Sequence, residues 1–371
     1  MRLPKALFST QNEANGEEER RPRIPIQDPE NRELLNWAGV LALATILSVA
    51  LISAVAVVLE GRLGDVETED RFLAVYGHRC LVDLEAVDVP LHAGWSGHWS
   101  RLGEEDCVQG SWLSQFRERG QNLTQYKAVD PNRGAEDSYL QMGPFVGLED
   151  EKVAALVPVV REFLEIYFQL PVYAGDAPVM SPAAFHPEKG ARGQYDAQLL
   201  LESLTGSCPE GAVACLAVTD RDLFVPGLQY VFGLGHFHSR VGVVSMYRLW
   251  DDKYDPVTER DVAPADPEPL RRALKVAAHE MAHEFSVAHC AHYRDCVMGG
   301  TNSLRESDRG ELMLCPLDHE KLRWNLRFDP RARYLELSAW ADEHGLHPEA
   351  AYWGRMAESH PGFANASGAS Q

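Results

Sequence analysis

His279-Glu280-Met281-Ala282-His283, followed by His289, constrains this chain more than any other feature. At 3.6 residues per turn, His279 and His283 stand one turn apart on one helix face, so both imidazoles can reach a single ion. Glu280 sits beside that face, placed to hold a water rather than the metal. His289 lies six residues past His283, the spacing HExxHxxxxxH, and supplies a third ligand. Three histidines without a ligating carboxylate leave a fourth position open, which is the donor set of a catalytic zinc and not of a structural one. Zinc in such a site lowers the pKa of water towards ~7, and a neighbouring carboxylate can then take its proton. If His289 were instead a surface residue, a distant Glu would have to complete the set.

Sulfur follows at once. Cys290, Cys296 and Cys315 supply three soft ligands for a second, closed zinc site that would clamp the loop after the helix. Met298 either floors a tight turn beneath the metal or is a plain core residue.

The stretch from His279 to Leu322 resembles the archaemetzincin family of zinc metallopeptidases, whose pattern is HExxHxxGxxHC, then CxM, then CxxC and Lys-Leu. The matching residues are His279, Glu280, His283, His289, Cys290, Cys296, Met298, Cys315 and Lys321-Leu322. Upstream, Gln194–Ala197, Asp220–Leu223, Tyr230–Gly233, Val244-Ser245 and Arg248-Leu249 are also similar, so the likeness covers roughly residues 138 to 326. The resemblance implies a metzincin-like zincin domain of α/β (α+β) class, with a twisted mixed sheet, an active-site helix and a Met-turn. It implies peptide hydrolysis, of aminopeptidase type, on a peptide or protein substrate. Glu280 would be the general base, and the catalytic zinc would be held by His279, His283 and His289. It also implies that an edge strand, with Tyr230–Gly235 as the candidate, pairs with an extended substrate. His236 and His238 follow that strand and either line the cleft or, as the favoured reading, are solvated loop residues.

Three departures from the family pattern matter. Ser286 stands where the family has a glycine that lets the chain turn off the helix; a left-handed serine costs on the order of 1–2 kcal/mol. Five residues, Ala291 to Asp295, separate Cys290 from Cys296 where the family has four. Asp318, with His319 beside it, replaces the last cysteine. The second zinc would therefore use Cys290, Cys296, Cys315 and Asp318, with His319 as the other choice; a Cys290–Cys296 disulfide is a further option. These departures also motivate a rival reading, a degenerate member that binds zinc or peptide without cleavage.

Trp37–Leu59 runs 23 positions without a charge. As a helix it would span about 35 Å, enough to cross a bilayer. Arg20, Arg21, Arg23 and Arg32 precede it, which by the positive-inside rule gives a single-pass membrane protein with a cytoplasmic N-terminus and an extracytoplasmic catalytic domain. The net charge of −20 repels phosphate backbones and argues against nucleic acid as a partner. Cys80, Cys107, Cys208 and Cys215 pair most simply in that order, although three pairings exist and buried free thiols are the alternative.

Apolar periodicity predicts strands near 138–145, 171–173, 212–218, 228–234 and 241–247. Helices are expected over 153–167, with Pro158 marking a kink or a late start, and over 195–204. Another begins at Asp266-Pro267-Glu268, and three follow near 316–324, 331–344 and 348–358. The expected organisation is a disordered tail (1–35), a transmembrane helix (36–60), an N-terminal extension (61–137), the catalytic domain (138–345) and a C-terminal helix with a tail (346–371). The Trp-rich extension could also be the business end of an envelope scaffold.

Overall fold

Two eight-residue, largely apolar strands, Tyr139–Val146 (β1) and Ala212–Thr219 (β6), form the centre of a computed structural model that describes residues 95–360 except 96, 117, 132–137, 176 and 251–267. Along β6, Ala214, Leu216 and Val218 point into one core, whereas Ala212, Cys215 and Ala217 point into another. The strand is thus buried on both faces, as a central parallel strand should be. Val172–Ala174 (β2) and Ala177–Val179 (β3) lie parallel to β1, and Val241–Ser245 (β9) lies parallel to β6. Phe185–His186 (β4), Gln194–Asp196 (β5) and Leu223–Phe224 (β7) make a separate three-stranded sheet. Gly233–Gly235 (β8) closes the main sheet, whose order is β2-β1-β6-β9-β8, and runs antiparallel to β9.

Trp112–Gln115 (α1) and Leu123–Ala128 (α2) precede the sheet. Glu151–Phe168 (α3) is the crossover that parallel strands require, joining β1 to β2. It starts at an Asp150 N-cap, and Pro158 sits on its exposed side, so the proline neither delays nor ends the helix. Ala197–Thr205 (α4) begins only after Asp196, because Gln194–Asp196 pairs as β5; the helix expected from 195 is shortened accordingly. Glu268–Glu284 (α5) packs under the sheet on the same side as α3, through Leu274, Ala277, Met281 and Phe285. Leu304–Arg309 (α6), Pro316–Leu326 (α7), Pro330–Glu343 (α8) and His347–Ser359 (α9) complete the chain. The class is mixed α/β.

The edge strand and α5 approach so closely that only glycine fits between them. A Cβ on Gly233 would lie 2.6 Å from Glu280 Cγ, and one on Gly235 would overlap the Glu280 carbonyl oxygen. The expected strand over Tyr230–Gly235 is therefore shorter. Val231 bridges instead to Leu223, and the Tyr230 hydroxyl donates to Asn302 O at 3.1 Å, so 230 and 231 leave the main sheet while Phe232 O still accepts from Ser245 N–H of β9.

The chain leaves α5 through Ser286, whose φ of 63° is left-handed. Residues of the N-terminal extension clasp this turn. Gln121 Nε2 donates to Ser286 O at 3.2 Å, and Gln121 Oε1 accepts from Ala288 N–H at 3.2 Å. The Tyr126 hydroxyl donates to Phe285 O at 2.9 Å and accepts from Asn325 Nδ2 at 2.7 Å. The Ser286 hydroxyl itself donates to Phe237 O at 3.0 Å.

The membrane assignment needs correcting. Trp37–Leu59 and the 1–35 tail lie outside the described residues, and no described helix is long and apolar enough to cross a membrane. The long helices α3 and α5 are amphipathic and carry charges, Arg161, Glu162 and Glu165 on the first and Arg271, Arg272 and Lys275 on the second. The single-pass topology and the extracytoplasmic placement therefore have no support in the architecture.

Replacing Tyr126 with Phe removes the hydroxyl's bonds to the Phe285 carbonyl and from the Asn325 amide. Urea unfolding should show a loss of about 1–3 kcal/mol; an unchanged midpoint would mean that the clasp adds nothing to stability.

Candidate active site

Helix α5 presents His279 and His283 on the face turned to the cleft, with their Nε2 atoms 3.0 Å apart. The turn at Ser286 returns His289 to them. The three ring centroids lie 4.5, 5.1 and 5.0 Å apart, and one ligand atom from each residue falls within 4.8 Å of the others. Two nitrogens on one tetrahedral zinc would be about 3.3 Å apart, so the spacing fits one ion.

The opposite ring nitrogen of each histidine meets an oxygen. His279 Nδ1 is 2.8 Å from Val297 O, His283 Nδ1 is 2.7 Å from Val287 O, and His289 Nδ1 is 2.8 Å from Glu118 Oε1. An oxygen there holds the proton on Nδ1, which leaves the Nε2 lone pair facing the centre. Burial pushes the His279 imidazolium down to about 3 and His283 well below its ordinary value, with the neighbouring histidines acting in the same direction. Both rings are therefore neutral, as metal ligands must be.

Glu280 lies in the same cleft, buried beneath Gly233. Burial raises its carboxyl to about 8, while the Gly235 N–H works in the other direction. The cleft measures ≈ 970 Å³, with β8, Tyr230 and Phe237 on one side and α5, Val297 and Asn302 on the other. Ser245 N–H donates to Phe232 O at 2.8 Å, and His236 N–H donates to Val241 O at 3.1 Å. Alternation along the strand then aims the backbone groups of Gly233 and Gly235 away from β9, towards the cleft. Arg248 braces this wall: it grips Asp222 with two bonds of 2.7 Å and stacks 3.9 Å from the Tyr230 ring. His236 and His238 are exposed, and His236 Nδ1 accepts the N–H groups of His238 and Ser239, which makes it a loop residue.

A second cluster lies on the other side of the Met298 turn. Cys290, Cys296 and Cys315 are buried free thiols, and together with Asp318 they offer four ligand atoms within 4.8 Å of one another. Asp318 Oδ2 is 3.3 Å from Cys296 Sγ and 3.2 Å from Cys315 Sγ, while its Oδ1 accepts from Lys321 Nζ at 2.7 Å. Burial raises the Asp318 carboxyl to about 6. Cys315 caps α7, so its sulfur sits at the positive end of a helix dipole. His319 is not part of the cluster; it stacks on Tyr334 and meets the edge of Trp95. Met298 is fully buried, and its carbonyl accepts the Cys290 N–H at 2.8 Å, so one turn ties the two clusters together. Cys208 and Cys215 form a disulfide; Cys107 is also disulfide-bonded, and Cys80 lies outside the described residues.

Sequence reasoning missed Glu118 and Trp112. Trp112 Nε1 donates to Glu118 Oε1 at 2.6 Å, and the Trp112 ring stands edge-on to His289 at 5.2 Å. Burial opposes the charge on Glu118, yet the bonds from His289 and Trp112 hold its carboxyl below the ordinary value. No local pattern signals a partner 171 residues away along the chain.

The profile of Peptidase family M54 matches residues 186–323. The archaemetzincin of Methanopyrus kandleri is 35% identical over 182 residues, which cover 48% of this chain and 94% of that protein. Archaemetzincin-2 of Rattus norvegicus is 27% identical over 269 residues, 63% of this chain and 73% of that protein. The crystal structure of the Methanopyrus kandleri archaemetzincin superimposes with a TM-score of 0.42 at 30% identity, covering 53% of this chain and 99% of that one. An alignment that takes in nearly the whole of an archaemetzincin, on a chain whose histidine and cysteine clusters converge as described, places this protein in the archaemetzincin family of zinc metallopeptidases, peptidase family M54.

Proposed function

We propose that His279, His283 and His289 hold the catalytic zinc of this peptidase and that Glu280 is its general base. The observation that carries this reading is the convergence of three Nε2 atoms whose rings are each pinned from behind through Nδ1. When bound, zinc supplies a charge that polarises the scissile carbonyl and acidifies a water. The chain's own groups do the rest. An extended peptide pairs with the outward backbone groups of Gly233 and with the Gly235 carbonyl, the Gly235 N–H being held by Glu280, and is thereby laid along the cleft. Glu280, held by the Gly235 N–H in a site that raises its proton affinity, takes a proton from the water and returns it to the leaving amine. Glu118 fixes the orientation of His289 from behind, so the described part of the 61–137 extension belongs to the catalytic unit.

The finer reading is an aminopeptidase. The Glu118 carboxylate lines the cleft beside His289 and gives that end the charge that suits a free amino terminus. A second zinc belongs to Cys290, Cys296, Cys315 and Asp318, with Lys321 neutralising the carboxylate oxygen that faces away from the thiols. The rival reading of a non-cleaving binder rests on Ser286 and Asp318; Asp318 lies with the three thiols and away from the histidines. Ser286 keeps the left-handed turn despite its side chain, with its neighbours' backbone groups held by Gln121 and Tyr126, so the substitution does not open the site.

Glu280→Gln should lower kcat by about 10²–10⁴-fold with zinc content unchanged. Wild type and variant equally inert at full zinc occupancy would favour the binder. Glu118→Gln should weaken zinc binding about 10–100-fold in a chelator competition; unchanged affinity would make the His289 contact incidental. Metal analysis should find two zinc ions per chain, falling to one in Cys315→Ala. One zinc in both proteins would remove the second site.

A further inference from the structure

Lys275 stands one turn before His279 on α5 and lines the same cleft, yet it is only 6% exposed. Its ammonium donates to the carbonyls of Ser307 and Gly310, the latter at 2.6 Å, at the C-terminal end of α6. Among the described residues no carboxylate lies within ion-pair distance of it. The acids around it are committed elsewhere: Glu268 to Arg271 at 2.6 Å, Asp308 to Arg272 at 2.6 Å, and Glu311, which also lines the cleft, to His98 at 2.7 Å. An ammonium has three donors, and the two carbonyls take two of them. A buried cation that lacks a counter-ion is costly to keep, and the cost falls when an anion arrives. Burial lowers the Lys275 ammonium to about 8, which still leaves it charged at neutral pH.

The direction of the substrate follows from the strand. Gly233 lies over the Glu280 side chain and Gly235 over the Glu280 carbonyl and His283, so β8 and α5 advance together along the cleft. A peptide adding antiparallel to β8, the more stable pairing, runs the opposite way, and its C-terminal part heads towards the Lys275 end.

We propose that Lys275 forms the floor of a subsite that takes an acidic side chain, Asp or Glu, on the residue just after the scissile bond. The proposal rests on the reading that His279, His283 and His289 hold the working zinc, because that fixes where the bond is cut.

Two measurements test it. The first is equilibrium binding by the zinc-loaded Glu280→Gln protein of the hexapeptides Ala-Xaa-Ala-Ala-Ala-Ala, with Xaa, the residue after the first peptide bond, as Glu, Gln or Leu. The Glu peptide should bind at least ~10-fold tighter than the other two, and Lys275→Met in the same background should erase the difference. Equal affinity of the Glu and Gln peptides for the Glu280→Gln protein would overturn the proposal, and this comparison does not require the Lys275 variant to fold. The second is cleavage of a mixed peptide library by wild type, with sequencing of the new amino termini. Asp and Glu should be enriched over Asn and Gln at the first position. Cleavage without that enrichment would also overturn it. A wild type that cleaves nothing while still preferring the Glu peptide in binding would sink the catalytic reading and leave an anion subsite standing.

Discussion

The site depends on one turn of backbone. After His283 the helix must stop and the chain must reverse, or His289 cannot meet the other two rings. Ser286 makes that reversal in a left-handed conformation that a side chain disfavours. Neighbouring groups over-determine it: Gln121 grips both sides of the turn, Tyr126 takes the Phe285 carbonyl, and the Ser286 hydroxyl ties itself to Phe237. Three of these four bonds come from the N-terminal extension. The segment that looked like a bystander in the sequence thus holds the turn, and through Glu118 it also holds the third histidine.

The opposite wall depends on close contact as well as on the β8–β9 ladder. Gly233 and Gly235 let the edge strand lie directly on Glu280, which buries that carboxylate and aims two peptide units into the cleft. The proton affinity of Glu280 and the proposed alignment of substrate therefore share one cause, the absence of a side chain at two positions. A larger residue there would lift the strand, expose Glu280 and widen the cleft in one step.

Legibility in the sequence followed the range of the interaction. The central strands and α5 were readable because their apolar residues recur with periods of two and 3.6 over many residues. The two- and three-residue strands β4, β5 and β7 are too short to carry any period. Tyr230 carried the pattern of a strand, but its hydroxyl reaches Asn302 across the cleft, a long-range bond that takes it out of the sheet. The choice between Asp318 and His319 was open because the residues are neighbours. The helix settles their geometry: Asp318 lies one turn above Cys315, while His319 is rotated about 100° further and faces Tyr334. The apolar run Trp37–Leu59 led to a membrane topology that no described helix supports.

The most direct measurement is an anomalous difference map collected at the zinc absorption edge from crystals of the zinc-loaded protein. The account predicts a peak about 2.0–2.1 Å from Nε2 of His279, His283 and His289, with Glu280 beside it and not ligating. Zinc bound elsewhere, or rings turned away from an empty centre in fully loaded protein, would contradict it.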